Sequence, residues 1–297
     1  MKFKEYIPFI GMAFMLLLVQ LIAVALSHKP LEKAFSNPDD PVNVIVWVAI
    51  ILVFTGFILL VIKLNKKWMI QAIILIAIVW TLYYVFEAIF ASFLSEEEKI
   101  ALSVLLSIGL GVVLYKFPEW YVIDIVGVIL GAGAAAIFGI SLAIIPTLLL
   151  LIVLAIYDYI AVYRTKHMVA LAEGVMDLRL PILLIIPKHW KYSFLKEKFD
   201  KQEREAFFMG LGDAVMPTLL VVSANVFVQG AGSYNVPLAG VMNIPAIGAI
   251  VGTFVGFTVL MGLVIKGKPQ AGLPFLNTGV ILGYAAGCLM AGSSLLN

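Results

Sequence analysis

Two aspartates stand alone in long apolar stretches of the sequence, Asp158 in IYDYIAVY (156–163) and Asp213 in GLGD (210–213). An ionisable side chain near the centre of a bilayer costs roughly 2.5–3.5 kcal/mol, so such a residue is a candidate for function. Two carboxylates that lie close together at low dielectric cannot both ionise, so one holds a proton while the other acts as a base. Such a pair can hydrolyse a peptide bond: the base takes a proton from water as the water attacks the carbonyl, and the acid protonates the leaving nitrogen. This chemistry needs no metal and no cofactor.

The composition indicates that these aspartates lie in a membrane. The chain of 297 residues is 63% hydrophobic and 13% charged, with a mean hydropathy of +1.07, whereas a soluble domain has roughly 25% charged residues. A net charge of +2 provides no concentrated basic face, so nucleic acid is not expected as a partner. The single cysteine, Cys288, excludes an internal disulfide. We therefore expect an all-α, multi-pass membrane protein.

Nine stretches have about the 20 apolar residues that a helix needs to cross a bilayer. The break between the fifth and the sixth is marked only by glycines, Ser141 and Pro146, so eight spans are the alternative. The predicted spans cover residues 7–27, 43–63, 68–94, 100–116, 120–140, 141–164, 206–229, 238–265 and 271–294.

The basic residues predict the orientation, because cytoplasmic loops carry the excess of Lys and Arg. With nine spans and the N-terminus inside, all of the 20 Lys and Arg residues except Lys29, Lys33 and Lys99 fall on the cytoplasmic side. Eight spans would move Lys266 and Lys268 to the outside. We therefore expect a cytoplasmic N-terminus and an external C-terminus.

Asp158 and Asp213 lie at similar predicted depths on consecutive, oppositely directed helices. Asp158 is six residues before Arg164, at the cytoplasmic end of the sixth span, and Asp213 is eight residues after Glu205, at the start of the seventh. At about 1.5 Å per residue, these positions are ~9 Å and ~12 Å from the cytoplasmic ends. Gly210 and Gly212 would allow another backbone to approach Asp213. A proton or ion relay in a channel or transporter is the alternative use of membrane acids.

Other residues suit chemistry less well. Glu87 lies near the outer end of the third span, where it can reach water, and Asp124 begins the fifth span, where interface exposure or a hydrogen bond to a neighbouring helix is favoured. The chain has no HExxH motif, and all three histidines lie in loops, which argues against a buried zinc site.

The sequence divides into three parts. Residues 1–164 hold six spans and Asp158, residues 165–205 form a cytoplasmic loop that begins with a predicted interfacial helix, and residues 206–297 hold three spans and Asp213. The loop contains PILLIIP (181–187), a run typical of a strand. We expect that run, or the segment before the seventh span, to pair with an unwound substrate as an added strand.

At these residues the chain resembles the presenilin and signal peptide peptidase family of intramembrane aspartyl proteases. IYDYIAVY is similar to the family's YD motif and GLGD to its GxGD motif, and both lie on the expected spans, six and seven of nine. By this resemblance Asp158 and Asp213 are the catalytic aspartates. The supporting motif positions are Tyr157, Gly210, Leu211 and Gly212.

The family's third signature, Pro-Ala-Leu at the start of the ninth span, is incomplete. In QAGLPFLN, Ala271 and Gly272 match that motif by position only, whereas Leu273 and the following Pro274 match by identity. The resemblance implies that these four residues help to bind the substrate. A non-helical start to a span leaves backbone groups available for a substrate strand.

The resemblance implies an endopeptidase that cleaves within transmembrane segments of other proteins. The orientation is that of presenilin, and the short chain is similar to minimal microbial, archaeal-type members in a cell membrane. It further implies activity without an obligatory partner subunit, and it leaves homo-oligomers open.

Overall fold

The computed structural model describes residues 7–63, 67–164, 183–189, 192–196, 205–264 and 270–296. Within these residues the chain forms nine α-helices and two small antiparallel hairpins. The helices are α1 (Ile7–Ser27), α2 (Val42–Lys63), α3 (Lys67–Phe90), α4 (Glu96–Lys116), α5 (Trp120–Gly139), α6 (Ile144–Tyr163), α7 (Leu211–Phe227), α8 (Ile244–Val264) and α9 (Leu273–Ala291), and the strands are β1 (Leu183–Pro187), β2 (Ala206–Gly210), β3 (Ser233–Val236) and β4 (Gly240–Asn243).

The helices follow the predicted spans in order. By length and composition, seven of those described could cross a membrane: α1, α3, α4, α5, α6, α8 and α9. Helices suit this environment because they satisfy their backbone groups internally, which hydrocarbon cannot do for them. The expected polytopic, helical membrane fold is confirmed.

The break between α5 and α6, the least certain in the sequence, is present. Helix α5 ends at Gly139 and α6 begins at Ile144. Between them, the Ser141 hydroxyl donates to the carbonyl of Ile137 and accepts a hydrogen bond from the backbone N–H of Ala34 at 2.7 Å. A serine that bonds backbone groups in this way competes with the helical pattern, so the chain can turn here without a charged residue.

The helix predicted over 206–229 is wrong in its first five residues. Ala206–Gly210 is strand β2, which pairs antiparallel with β1, and α7 begins only at Leu211. The register aligns Leu183 with Gly210 and Pro187 with Ala206. The PILLIIP run that we expected to pair with a substrate therefore pairs with the first five residues of the predicted seventh span. The predicted interfacial helix lies in 165–182, outside the described residues.

Helix α7 occupies the centre of the bundle. It packs against α1, α5, α6, α8 and α9, and its residues from Pro217 to Ala224 are all buried. At 17 residues it is about 26 Å long. Strand β2 leads directly into it, so the chain changes from extended to helical just before Asp213.

Helices α8 and α9 touch along their backbones. A Cβ placed on Gly252 would lie 2.1 Å from the carbonyl oxygen of Gly279, and one on Gly283 would lie 2.2 Å from that of Gly248. Small residues permit this close approach. The pairing holds the beginning of α9 next to α6 and α7.

Candidate active site

Asp158 lies in the last turns of α6 and is buried, with 4% of its surface exposed. Its Oδ2 accepts a hydrogen bond from the backbone N–H of Leu273, at 3.1 Å. Leu273 is the first residue of α9, where the N–H groups have no partner within the helix. Asp158 therefore accepts a hydrogen bond from a donor that has no partner within α9. Tyr157 is its neighbour along α6 and is half-buried.

Asp213 is the third residue of α7 and is half-buried. Strand β2 ends at Gly210, which lies against the Asp213 carboxylate, since a Cβ placed on Gly210 would be 3.3 Å from Oδ2 of Asp213. The first turn of a helix favours a negative charge, because the backbone N–H groups there point toward it. The Gly210–Asp213 motif therefore serves two purposes: it makes the turn from strand to helix and it supports the carboxylate.

The two carboxylates meet at one short piece of backbone. A Cβ on Gly272 would lie 2.7 Å from Oδ1 and 2.8 Å from Oδ2 of Asp213, while the next residue, Leu273, bonds Asp158. Asp158 also interacts electrostatically with Asp213. The structure thus brings together Asp158, Asp213 and the incomplete Pro-Ala-Leu segment, three parts that are far apart in the sequence.

A tyrosine that the sequence did not point to holds this segment. The Tyr163 hydroxyl donates to Oε1 of Gln270 at 2.6 Å and accepts a hydrogen bond from the backbone N–H of Ala271 at 3.4 Å. Ala271 itself is buried, with 1% of its surface exposed. Since Tyr163 and Gln270 are 107 residues apart, no local spacing pattern could have revealed the contact.

Pro274, the last of the four residues, faces a groove between α6 and α9. The groove has a volume of about 270 Å³ and is lined by Tyr159, Tyr163, Pro274 and Phe275. It lies beside the hydrogen bond between Leu273 and Asp158, so an apolar chain in the groove would be close to the carboxylates.

The remaining motif residues differ in their surroundings. Leu211 points into α5, where its Cδ1 lies 3.0 Å from the position of a Cβ on Gly131. Gly212 is exposed, and a Cβ there would meet no atom of the described residues within 4 Å. The space beside Asp213 on that side is therefore open to a ligand.

The other two membrane acids lie elsewhere. Lys99 reaches Oε1 of Glu87 at 3.4 Å, a partner that the sequence did not predict. Asp124 is buried, and its Oδ1 accepts a hydrogen bond from the backbone N–H of Ile185 at 2.7 Å, so its partner is strand β1 and not a neighbouring helix. Among the described residues, no cluster of His, Cys, Asp and Glu could hold a metal ion.

The fold and the paired carboxylates define a class, the membrane-embedded two-aspartate hydrolases, and comparison with known proteins agrees. Residues 12–293 match the family model described as signal-peptide peptidase, presenilin aspartyl protease. A presenilin family intramembrane aspartate protease solved in space group C222 is 37% identical, with a TM-score of 0.73 over 96% of this chain and 100% of that one. The structure in space group P2 gives 36% identity and a TM-score of 0.72 over 96% of this chain and 99% of the other. Curated proteins gave no match.

The chain belongs to the signal-peptide peptidase and presenilin aspartyl protease family. It is an intramembrane aspartyl protease and an integral, multi-pass membrane protein, whose substrates lie within the membrane. The channel or transporter alternative is not favoured.

Proposed function

We propose that Asp158 and Asp213 are the catalytic pair of this protease. The observation that carries the proposal is their convergence on adjacent residues, with Gly272 against Asp213 and Leu273 bonded to Asp158. Neither side chain forms a salt bridge with a cation among the described residues, so both carboxylates can bind a water molecule.

In the reaction, one carboxylate is ionised and the other is protonated. The ionised group removes a proton from water as the water oxygen bonds to the peptide carbonyl carbon, which gives a tetrahedral intermediate that carries one hydroxyl and one oxyanion. The C–N bond then breaks, and the leaving nitrogen takes a proton from the acid partner. The products are a carboxylic acid and an amine, and the pair again holds one proton. The backbone at Gly272 and Leu273 keeps the two groups together throughout.

A transmembrane substrate must lose local helical structure before its peptide bond can be reached. We propose that the unwound segment adds as a strand to β2, on the edge away from β1. In an antiparallel ladder, hydrogen-bonded pairs alternate with pairs that are not bonded. The N–H of Lys188 donates to the Glu205 carbonyl at 2.9 Å, so that pair is bonded, and the pair that contains Ile185, three residues earlier, is not. Ile185 therefore directs its N–H away from β2, toward Asp124. That edge of β1 is covered by α5, whereas β2 leads straight to Asp213.

The roles of the remaining motif residues follow from their positions. Gly210 turns the strand into α7, Leu211 anchors that turn in α5, and Gly212 leaves room for the substrate. Residues 271–274 border the carboxylates and the apolar groove and would contact the substrate on the side of α9.

The orientation and the assembly are also proposals. The distribution of Lys and Arg supports a cytoplasmic N-terminus, which places the carboxylates nearer the cytoplasmic surface and favours substrates with an external N-terminus. The resemblance to the peptidase branch of the family and its microbial relatives supports activity without an obligatory subunit, either as a monomer or as a homo-oligomer in a microbial cell membrane.

The test uses purified protein and a fluorogenic transmembrane peptide. Asp158→Ala and Asp213→Ala should each abolish product, whereas Glu87→Gln, which removes a membrane acid away from the site, should retain activity. Cleavage that survives loss of either aspartate would contradict the assignment. If no peptide is cut but ion flux into liposomes depends on the aspartates, the protein is a transporter.

A further inference from the structure

Asp124 is a buried carboxylate that the proposed chemistry does not use. It is 1% exposed, its Oδ1 accepts the hydrogen bond from Ile185 N–H at 2.7 Å, and its Oδ2 is buried with no hydrogen-bond partner among the described residues. Burying a carboxylate is unfavourable unless it is well paired. An apolar residue would fill this position at less cost, so the bond to β1 is the feature that calls for an explanation.

Asp124 belongs to the face of α5 that packs against the hairpin formed by β1 and β2. The next turns of that face carry Gly127 and Gly131, which lack side chains where neighbours approach. A Cβ on Gly127 would lie 3.3 Å from Cδ2 of Leu184, and one on Gly131 would lie 3.0 Å from Cδ1 of Leu211. Asp124, Gly127 and Gly131 therefore form one contact face of α5. It holds β1 by a hydrogen bond and the turn before Asp213 by packing.

The start of α5 also binds the residues that follow β1. The carboxylate of Glu119 accepts hydrogen bonds from the Ser193 hydroxyl at 2.6 Å and from the Phe194 N–H at 3.0 Å. Because Glu119 fixes residues after the strand and Asp124 fixes the strand itself, the hairpin has a defined height along α5.

The position of the β1–β2 hairpin along α5 determines where the residues next to Asp213 lie. Ile185 donates to Asp124 on the side opposite β2, so the bond adds to the ladder without replacing any part of it. Leu183, two residues before Ile185, is aligned with Gly210, and Gly210 lies against the Asp213 carboxylate. A shift of β1 along α5 would therefore move both the edge of β2 and the residues next to Asp213.

We propose that Asp124 is a positioning residue that sets the register in which the substrate strand is presented to Asp158 and Asp213. It does so as a hydrogen-bond acceptor for Ile185, and not through its charge. The inference rests on the proposed pairing of the substrate with β2 and on the proposed catalytic pair.

Three variants separate these roles. Asp124→Asn keeps an acceptor oxygen of the same shape, Asp124→Leu has a similarly branched but larger side chain with no acceptor, and Ser103→Ala removes a different buried polar atom in α4 as a control. With a transmembrane peptide, Asp124→Leu should lower kcat/KM about tenfold or more and change the distribution of cleavage positions by mass spectrometry. Asp124→Asn and Ser103→Ala should stay within about threefold of the wild type and cut at the wild-type positions.

A second measurement does not depend on activity. Amide hydrogen exchange over residues 183–187, without substrate, should quicken in Asp124→Leu and remain slow in Asp124→Asn. If Asp124→Leu does not fold, Ile185→Pro removes the donor instead, at a position whose N–H makes no ladder bond, and should change the cleavage positions in the same way.

Wild-type kcat/KM and cleavage positions in Asp124→Leu, or in Ile185→Pro where that variant replaces it, would overturn the inference. So would an Asp124→Asn variant as defective as Asp124→Leu, because the charge and not the acceptor would then matter. Failure of the proposed catalytic pair looks different: product would persist in Asp213→Ala, whereas the exchange result would be unaffected.

Discussion

The backbone N–H of Leu273 donates a hydrogen bond to Oδ2 of Asp158 across a separation of 115 residues, at 3.1 Å. The start of α9 is therefore part of the carboxylate site, to which it contributes its backbone. This explains how residues 271–273 can support the carboxylates although two of them, Ala271 and Gly272, differ from the Pro-Ala-Leu motif. A backbone donor is supplied by any residue except proline.

Restoring alanine at Gly272 should impair the enzyme, although alanine is usual in the family at that position. A Cβ there would lie within 2.8 Å of Oδ1, Oδ2 and Cγ of Asp213, so the carboxylate must move. We expect Gly272→Ala to lower kcat at least about tenfold with little change in KM, since the chemical step is affected more than binding. Steady-state kinetics with Gly262→Ala as control, where a Cβ meets none of the described residues within 4 Å, will check this. An unchanged kcat would show that Asp213 has another productive position.

Removing the Tyr163 hydroxyl should loosen the segment before α9. The phenol bonds both Gln270 and Ala271, so Tyr163→Phe loses about 1 kcal/mol of positioning energy and kcat/KM should fall several-fold. The exposed Tyr121→Phe is the matched control. In a double-mutant cycle with Gln270→Leu, the two losses should be less than additive. Full additivity would mean that the hydrogen bond does not matter.

Adding a methyl group between α8 and α9 should destabilise the protein. At Gly283 a Cβ would lie 2.2 Å from the carbonyl oxygen of Gly248 and 2.7 Å from the Cα of Gly252. Backbone cannot yield as a flexible side chain does, so Gly283→Ala should cost about 1–3 kcal/mol. Thermal unfolding in detergent measures the effect, with Gly109→Ala on the exposed face of α4 as reference. Equal midpoints for the two variants would contradict the close packing.

The pH dependence of the rate should be bell-shaped, with its maximum at mildly acidic to neutral pH. At low pH both carboxylates are protonated and the base is lost, whereas at high pH both are ionised and the acid is lost. Initial rates across the pH range, with folding checked at each point, provide the measurement. A rate that still rises at pH 9 would exclude a shared proton.

The sequence predicted the elements that depend on local signals. Apolar runs of fixed length define the helices, and a lone acid in such a run is conspicuous, so the spans and Asp158 and Asp213 could be found. The strand at 206–210 could not, because AFFMG suits either structure and its partner, LLIIP, lies across a charged loop. The depth assigned to Asp213 assumed helical rise over these residues, whereas a strand rises about 3.3 Å per residue. The two carboxylates still lie close together, although a strand and not a helix leads to Asp213.

Contacts between distant residues were also beyond prediction. Asp124 and Ile185 are 61 residues apart, and Tyr163 and Ala271 are 108 apart. Each partner is unremarkable alone: a carboxylate near a helix start, a tyrosine near a helix end. Only the packing of α5, α6 and α9 brings them together, and no spacing within one helix records that packing.

The backbone contact between α8 and α9 limits how the protease can admit a substrate. Two helices whose glycines meet at van der Waals distance cannot slide or separate without opening a void in hydrocarbon, so they move as one rigid body. The groove beside α9 can therefore widen only if α6, which carries Asp158, moves or if α8 and α9 move together. Either movement displaces one partner of the hydrogen bond between Leu273 and Asp158, so admission of the substrate and alignment of the carboxylates are coupled.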